Sequence, residues 1–515
     1  MEVIKISSAT IRGVEAVEVE VEVSISTSAF PTFVIVGLAD NAVKESRERI
    51  RSAISSTGLS LPSKKIVVNL APAGIKKEGT FYDLPILLGI LSGLGYVDPG
   101  RLESLMVVGE VSLDGNLRKV RGVLPVALLA RDLNLKLLIP AENLREALIV
   151  NNLPVWGVGN ITEIIEGLNE GKAGFVISSG GEERTLYPDY SIDFSEVKGQ
   201  EQAKRAIEIA AAGGHNILMV GPPGSGKSML AKRIPTILPP MNFEEALETT
   251  KIYSIAGLLK KDDSLITTRP FRSPHHTISD VGLIGGGNPP RPGEVTLSHN
   301  GVLFLDELPE FKRNVLEVLR QPLEDGVVTV TRASGTVIYP ARFMLVAAMN
   351  PCPCGYLTDP YHQCTCSVSQ IQRYQQRVSG PLLDRIDLQI EVPSIKYRDL
   401  STIKKGETSL RIRKRVLKAR KIQWERYRKY GIHSNGMLTP SLIEKFAPLG
   451  EGEKRILEIA MEKFGLSARA FHRVIKVART IADLEGEEKI REHHLTEAIQ
   501  YRMLDRLNFR IKVQT

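Results

Sequence analysis

The octapeptide GPPGSGKS at 221–228 constrains this chain more than any other stretch. It matches G-x-x-x-x-G-K-[ST] in full, follows the apolar run NILMV and precedes SMLAKRIP, the strand–loop–helix setting the pattern needs. Gly221, Gly224 and Gly226 let the backbone turn its N–H groups toward phosphate oxygens. Pro222, Pro223 and Ser225 complete the loop, and the following helix adds its N-terminal dipole. Lys227 is then expected to reach the β- and γ-phosphates of a nucleotide, and Ser228 to ligate Mg²⁺.

A loop of this kind belongs at the edge of a parallel sheet. From about Asp193 to Ser394 the apolar runs NILMVG, GVLFLDE, RFMLVAAMN and LQIEV alternate with helical segments, which predicts one. GVLFLDEL ends in Asp306 and Glu307. Asp306 suits a Mg²⁺-bound water, and Glu307 suits the base that aligns and polarises an attacking water; alone, such a pair also serves as a solubilising strand end. Asn350 closes the next strand, where it can orient that water or simply form the turn before Pro351. Arg385, in GPLLDRIDLQIEV, can stabilise γ-phosphate charge on a neighbouring subunit or stand as an ordinary surface charge.

The 515 residues suggest roughly three domains at about 150 residues each. In VEAVEVEVEVSIS, Val17, Val19, Val21, Val23 and Ile25 share one face, with Glu18, Glu20, Glu22 and Ser24 on the other, a half-buried strand. FPTFVIVG and SKKIVVNLAP read as strands and DNAVKESRERIRSAISSTG as a helix, so residues 1–170 form a mixed α/β domain. Residues 171–192 read as a linker and 193–395 as the phosphate-loop domain; 396–515 is helical throughout. No apolar run reaches the roughly 18 residues of a membrane span, and MEVIKISSAT lacks a signal-peptide pattern, so a cytoplasmic protein with no membrane partner is expected.

Charge is informative when located. From Lys396 onward there are 28 Lys+Arg against 15 Asp+Glu, while the rest of the chain holds 39 against 44. The basic excess therefore sits wholly in the helical C-terminal part, which suits either a polyanion or a solvated surface. Within it, 411–429 carries ten basic residues against one acidic. Trp424, Tyr427 and Tyr430 are interleaved with them, as nucleic-acid stacking needs and as a helix packed on a core also needs.

All four cysteines, Cys352, Cys354, Cys364 and Cys366, fall within the 351–367 insertion, as C-x-C, a nine-residue loop, and C-x-C. Four thiolates can close a tetrahedral Zn²⁺ site, with His362 as a spare ligand; redox-sensitive thiols and unligated small residues are the other readings. VVTVTRASGTVIY at 327–339 reads as a hairpin with Arg332 at its tip, either structural or touching a phosphate backbone. IGGGNPPRPGE at 284–294 reads as a loop, and the His275–His276 pair as packing or capping rather than metal binding.

Together VKGQEQAKRAIEIAAAGGHNILMVGPPGSGKSMLAKR, FRSPHHTISDVGLIGGGNPPRPGEVTLSHNGVLFLDELPEF and SARAFHRVIKVARTIADL resemble the YifB/ComM family of the magnesium-chelatase-like AAA+ ATPases, over essentially the whole chain. The resemblance implies that 221–228 is Walker A, that Asp306 and Glu307 belong to Walker B, that Asn350 is sensor 1 and that Arg385 is the arginine finger. Arg469 matches sensor 2, with Arg473 one turn on as the alternative, and Gly199 and Gln200 match the segment near the adenine of ATP. It implies a homo-oligomeric ring, a hexamer, with a C-terminal helical lid, a pore-facing hairpin at 327–339, and helicase activity on DNA in branch migration during uptake of homologous DNA. A magnesium-chelatase motor, a chaperone-like protein remodeller and an ATP-binding adaptor are the competing functions.

KKEGTFYDLPILLGIL and GEVSLDGNLRKVRGVLPVALLA resemble the Lon protease domain, an α+β fold. That resemblance puts Phe81 where a nucleophilic Ser belongs and Leu124 where the Lys base belongs. Neither side chain attacks a carbonyl or takes a proton, so the domain is expected to be a scaffold or nucleic-acid platform without protease activity.

Overall fold

The computed structural model of the chain describes residues 3–28, 30–178, 190–260, 265–288, 290–332, 335–394, 406–464 and 467–502. The valine–glutamate alternation forms the strand Glu15–Ser26, paired antiparallel with Val3–Arg12 from Val3↔Ser24 to Arg12↔Glu15. Because strand side chains alternate, Val19, Val21 and Val23 are all buried, while Glu20 and Glu22 meet Lys5 at 2.9 and 3.3 Å on the outer face.

These two strands lie within an eight-stranded mixed sheet. Its order is Val176–Ile177, Pro154–Val158, Lys136–Pro140, Leu105–Val107, Val3–Arg12, Glu15–Ser26, Lys65–Ala71 and Phe33–Val36. The helix Asn41–Ser56 starts where Asp40 accepts from the Val43 N–H at 2.8 Å. The helix Asp83–Gly93 lies flat on the sheet, because a Cβ on Gly89 would come within 2.5 Å of Val23.

One boundary differs from the sequence reading. The sheet continues past residue 170, since Val176–Ile177 pairs antiparallel with Pro154–Val158. The edge strand is two residues long and exposed on both sides, so it carries no alternation to read; Phe175 beside it packs on Trp156, ring centroids 5.7 Å apart. Of the expected linker, 179–189 lie outside the described residues.

The central domain is a five-stranded sheet in the order Phe271–Arg272, Val302–Leu305, Met344–Met349, Ile217–Val220, Leu388–Glu391, with every pairing parallel. Its three inner strands are buried at every residue, as a parallel sheet covered on both faces requires. The helices Ser409–Tyr427 and Ala468–Glu485 pack on the helix Glu201–Gly213, and Ile412, Val416 and Val474 share one core with Ile207 and Ile217. Buried Asp387, just before the last strand, pins the bundle to the sheet by pairing with Arg473 and accepting from the Asn216 N–H at 2.9 Å. No described helix is long and apolar enough to cross a membrane.

Candidate nucleotide site

The glycine-rich loop leaves the strand Ile217–Val220 and enters the helix Lys227–Ile237. A Cβ on Gly221 would fall 2.2 Å from the Val392 carbonyl oxygen, so only glycine lets the two backbones approach. Gly224 and Gly226 take φ of +75° and +93°, the left-handed region glycine enters without steric penalty. The loop therefore folds back over the start of its own helix.

Lys227 fills that curl. Its Nζ donates to the carbonyls of Gly221 at 2.6 Å and Pro222 at 2.9 Å, and lies 3.3 Å from Asn350 Oδ1. Burial pushes its pKa down to about 8, partly offset by the nearby Asp306 carboxylate. The Ser228 hydroxyl donates to Asp306 Oδ2 at 2.7 Å. Hydroxyl and carboxylate oxygens are the hard donors Mg²⁺ prefers, so this pair fits that ion chemically.

Gly221, Asp306 and Asn350 each follow one of three adjacent parallel strands. The site thus sits at the carboxyl edge of the sheet, where open α/β folds place their ligands. Glu307 takes φ +52°, and its carboxylate stays more than half exposed. Gly199 and Gln200 are consecutive left-handed residues at the start of the helix Glu201–Gly213. Gln200 donates to the Ser225 carbonyl at 3.2 Å and the Pro393 carbonyl at 2.7 Å, bracing the loop against the segment after the last strand.

The arginines divide. Arg385 is buried, paired with Glu324 and donating to the Pro381 carbonyl at 2.7 Å, so this subunit holds it inward. Arg473 is committed to Asp387 and the Arg385 carbonyl. Arg469, on the first turn of Ala468–Glu485, is exposed. Two contacts at the site carry no signal in the sequence. His276 Nδ1 lies 3.3 Å from Glu307, and Gly355, from the cysteine loop, packs on Pro223.

The cysteine loop brings its four sulfurs together, every pair within 4.8 Å. That grouping is compatible with a structural zinc. His362 stands outside it, exposed and paired with Asp359 at 3.1 Å.

The 327–339 segment is a hairpin of the strands Val327–Arg332 and Gly335–Pro340; 333–334 lie outside the described residues. It meets the 284–294 loop, where Tyr339 donates to the Pro290 carbonyl at 2.9 Å and the exposed Arg332 guanidinium lies against Gly286.

The basic residues of the helix divide, and Arg415 is held at the surface by Glu208 and Glu407. Arg413, Arg420 and Arg426 turn inward onto the Thr236 carbonyl, the Ala211 carbonyl and Asp483, at 2.8, 3.1 and 2.7 Å. Arg411, Lys414, Lys418 and Lys421 are exposed at helical spacing, followed by Arg428 and Lys429. The aromatics divide likewise. Tyr427 is fully buried and donates to Asn435, whereas Trp424 is half exposed with the Arg428 guanidinium over its ring.

In the N-terminal domain Phe81 is partly buried and packs against both hydrophobic clusters of the domain, and Leu124 is buried with its N–H donating to Glu146 at 3.0 Å. Both are packing residues.

Three family models match the chain. Magnesium chelatase, subunit ChlI, covers residues 193–400; subunit ChlI of Mg-chelatase covers 19–143; and its C-terminal model covers 406–502. The chain is 44% identical over 500 residues to competence protein ComM of Haemophilus influenzae and 42% identical over 496 residues to YifB of Escherichia coli, covering 96% of each chain in both cases. It is 26% identical over 193 residues to the magnesium-chelatase 38 kDa subunit of Rhodobacter capsulatus, which spans 34% of this chain and 53% of that one. The chain belongs to the YifB/ComM magnesium-chelatase-like family.

Proposed function

We propose that the protein is an ATP-hydrolysing AAA+ ring motor, a hexamer in the cytoplasm, that moves DNA junctions in branch migration. The observation that carries the reading is the convergence of Lys227, the Ser228–Asp306 pair and Asn350 at one sheet edge, with Glu307 beside them facing solvent. Lys227 neutralises β- and γ-phosphate charge, and the loop N–H groups hold the phosphates in place. Ser228 and Asp306 hold Mg²⁺, which when bound offsets the negative charge between those phosphates. Glu307 aligns a water for attack and takes its proton, while Asn350 orients that water. Gly199 and Gln200 line the adenine side.

Around the ring, exposed Arg469 reaches the neighbouring subunit's nucleotide, and Arg385 does so only once freed from Glu324. DNA as the polymer is supported by the exposed row Arg411, Lys414, Lys418 and Lys421, by Trp424 available for stacking, and by Arg332 on the hairpin. The similarity to competence protein ComM points the same way. The N-terminal domain, with Phe81 and Leu124 at the two key positions, serves as a scaffold without peptidase chemistry.

The test is ATP turnover and junction unwinding with and without branched DNA. Branched DNA raises turnover, and Glu307→Gln lowers it by about 10²- to 10⁴-fold while ATP stays bound. Stimulation by unfolded protein instead of DNA assigns the motor to protein remodelling. A Glu307→Gln protein that hydrolyses ATP at the parent rate removes Glu307 as the base.

A further inference from the structure

The cysteine loop begins at the residue after Asn350–Pro351, so the chain passes directly from the nucleotide site into it. Three of the sulfur separations are 3.4 Å (Cys352–Cys354), 3.7 Å (Cys352–Cys364) and 3.6 Å (Cys354–Cys364). Four sulfurs about 2.3 Å from one tetrahedral zinc lie ~3.8 Å from one another. Bonded sulfurs lie about 2.05 Å apart. The spacing is therefore that of a metal cage and not of a disulfide.

The backbone is shaped for sulfurs carrying negative charge. The Cys354 N–H donates to Cys366 Sγ at 3.3 Å. Such a donor stabilises a thiolate ligand and fixes its direction. Cys352 is fully buried. The tight turn between the two halves of the first C-x-C is closed by the Gly355 N–H on the Cys352 carbonyl at 3.0 Å.

The cage is tied into the site on both sides. Gly355 takes φ +88°, and a Cβ there would meet Pro223 of the glycine-rich loop at 2.6 Å. Directly after Cys366, Ser367 caps the helix Val368–Gln375, and Gln375 donates back to the Pro351 carbonyl at 3.1 Å. The cysteine loop is thus tied to the segment after the last strand, where Ser394 donates to Asp359 at 3.2 Å, and packs on Pro223.

We propose that Cys352, Cys354, Cys364 and Cys366 hold one zinc ion, and that this ion locks the cysteine loop against Pro223 and so sets the shape of the 221–226 loop. Binding replaces the thiol protons, which pass to solvent, with four Zn–S bonds. Without the ion, no bond holds the four thiols together, the cage opens, and Gly355 withdraws from Pro223. The second half rests on the glycine-rich loop holding a nucleotide's phosphates; the first half does not.

The experiment uses the full chain. Elemental analysis of protein purified without chelator gives about one zinc per chain, and after chelation Co²⁺ titration gives the visible absorption of a tetrahedral tetrathiolate. Less than about 0.2 zinc per chain together with no cobalt–thiolate absorption overturns the site and leaves four ordinary thiols. Cys354→Ser and Cys366→Ser each abolish that absorption. Should they fail to fold, the titration of the unmutated apo chain decides alone.

Coupling is read by hydrogen exchange at 221–226, which needs no nucleotide. Exchange there rises on zinc removal and returns on reloading, and ATP affinity measured alongside falls at least about tenfold. A zinc-loaded and a zinc-free chain with the same exchange at 221–226 overturn the coupling while leaving the site. A loaded chain that shows the exchange change but binds no ATP contradicts the motor reading instead.

Discussion

Lys77 and Lys227 are both buried, in different surroundings. Lys77, in the N-terminal domain, is wholly covered; its ammonium donates to the Pro72 carbonyl, and its own backbone clasps Leu38 and Asp40. Lys227 is almost as covered, yet it sits in a curl of carbonyls with Asn350 beside it and the Asp306–Ser228 pair next to it, at the open edge of a sheet. Burial lowers the pKa of both. On the proposed reading, what separates the Lys227 ammonium from a structural one is the company it keeps: convergent acceptors and backbone N–H groups that can serve a ligand.

The largest effect tests that distinction directly. Lys227→Ala lowers ATP turnover by about 10³-fold, because a positioned cation facing developing phosphate charge is lost. Equilibrium binding and steady-state turnover, measured beside the thermal midpoint, check it. A variant that still turns over ATP within about tenfold of the parent, with its fold intact, would place the phosphate contacts elsewhere.

Much of this region is legible in the sequence because it is local. The loop, the Asp306–Glu307 strand end and Asn350 each belong to a strand–turn unit whose apolar run announces it. What was not legible depends on chain segments meeting in three dimensions. Gln200 braces the loop through left-handed backbone that no side-chain pattern encodes. His276 reaches Glu307 from the far end of an irregular segment. Arg385 reads equally as a surface charge or an interface group until Glu324 is seen to hold it inside. In the basic helix, Trp424 and Tyr427 lie one turn apart on neighbouring positions, and the border of the buried stripe runs between them, so spacing alone does not tell which faces solvent.

The N-terminal domain has its own buried charge, and removing it affects stability rather than activity. Asp83 is fully buried; Arg49 grips it with Nε at 2.7 Å and Nη2 at 2.9 Å, and the Val111 N–H approaches at 3.3 Å. Asp83→Ala leaves Arg49 partly buried without a counter-charge and destabilises the domain by about 3 kcal/mol. The chain has two tryptophans, so in a Trp424→Phe background the fluorescence of buried Trp156 reports urea unfolding of this sheet alone. A loss under about 1 kcal/mol would mean that the pair contributes little. Unchanged ATP affinity in the same protein confirms that the two regions keep separate accounts of charge.

A smaller, pH-dependent effect follows from Lys227. Its pKa in the free protein is down to about 8, below the usual lysine value, so raising the pH through 8 discharges the ammonium. Phosphate favours the charged form and raises that pKa on binding. Nucleotide affinity therefore falls above about pH 8, by at most tenfold per unit, and binding there takes up a proton. Calorimetry at about pH 8.5 in two buffers of different ionisation enthalpy measures the uptake. Equal binding enthalpies in both buffers would show that Lys227 is already fully charged in the free protein.

Lys77→Met is the smallest change and the sharpest control on the comparison. The replacement keeps length and apolar stem, and removes an ammonium that burial already disfavours as a charge. It also removes one of two donors to the Pro72 carbonyl, which keeps the Ile75 N–H at 3.3 Å, a loss of about 1 kcal/mol at most, so the two effects oppose each other and the net shift stays within about 1 kcal/mol of the parent. ATP turnover is unchanged. Should Lys77→Met instead lower turnover as Lys227→Ala does, with the thermal midpoint held, the N-terminal ammonium is not merely structural, and the domain that lacks a Ser at Phe81 and a Lys at Leu124 contributes to the motor through this second lysine.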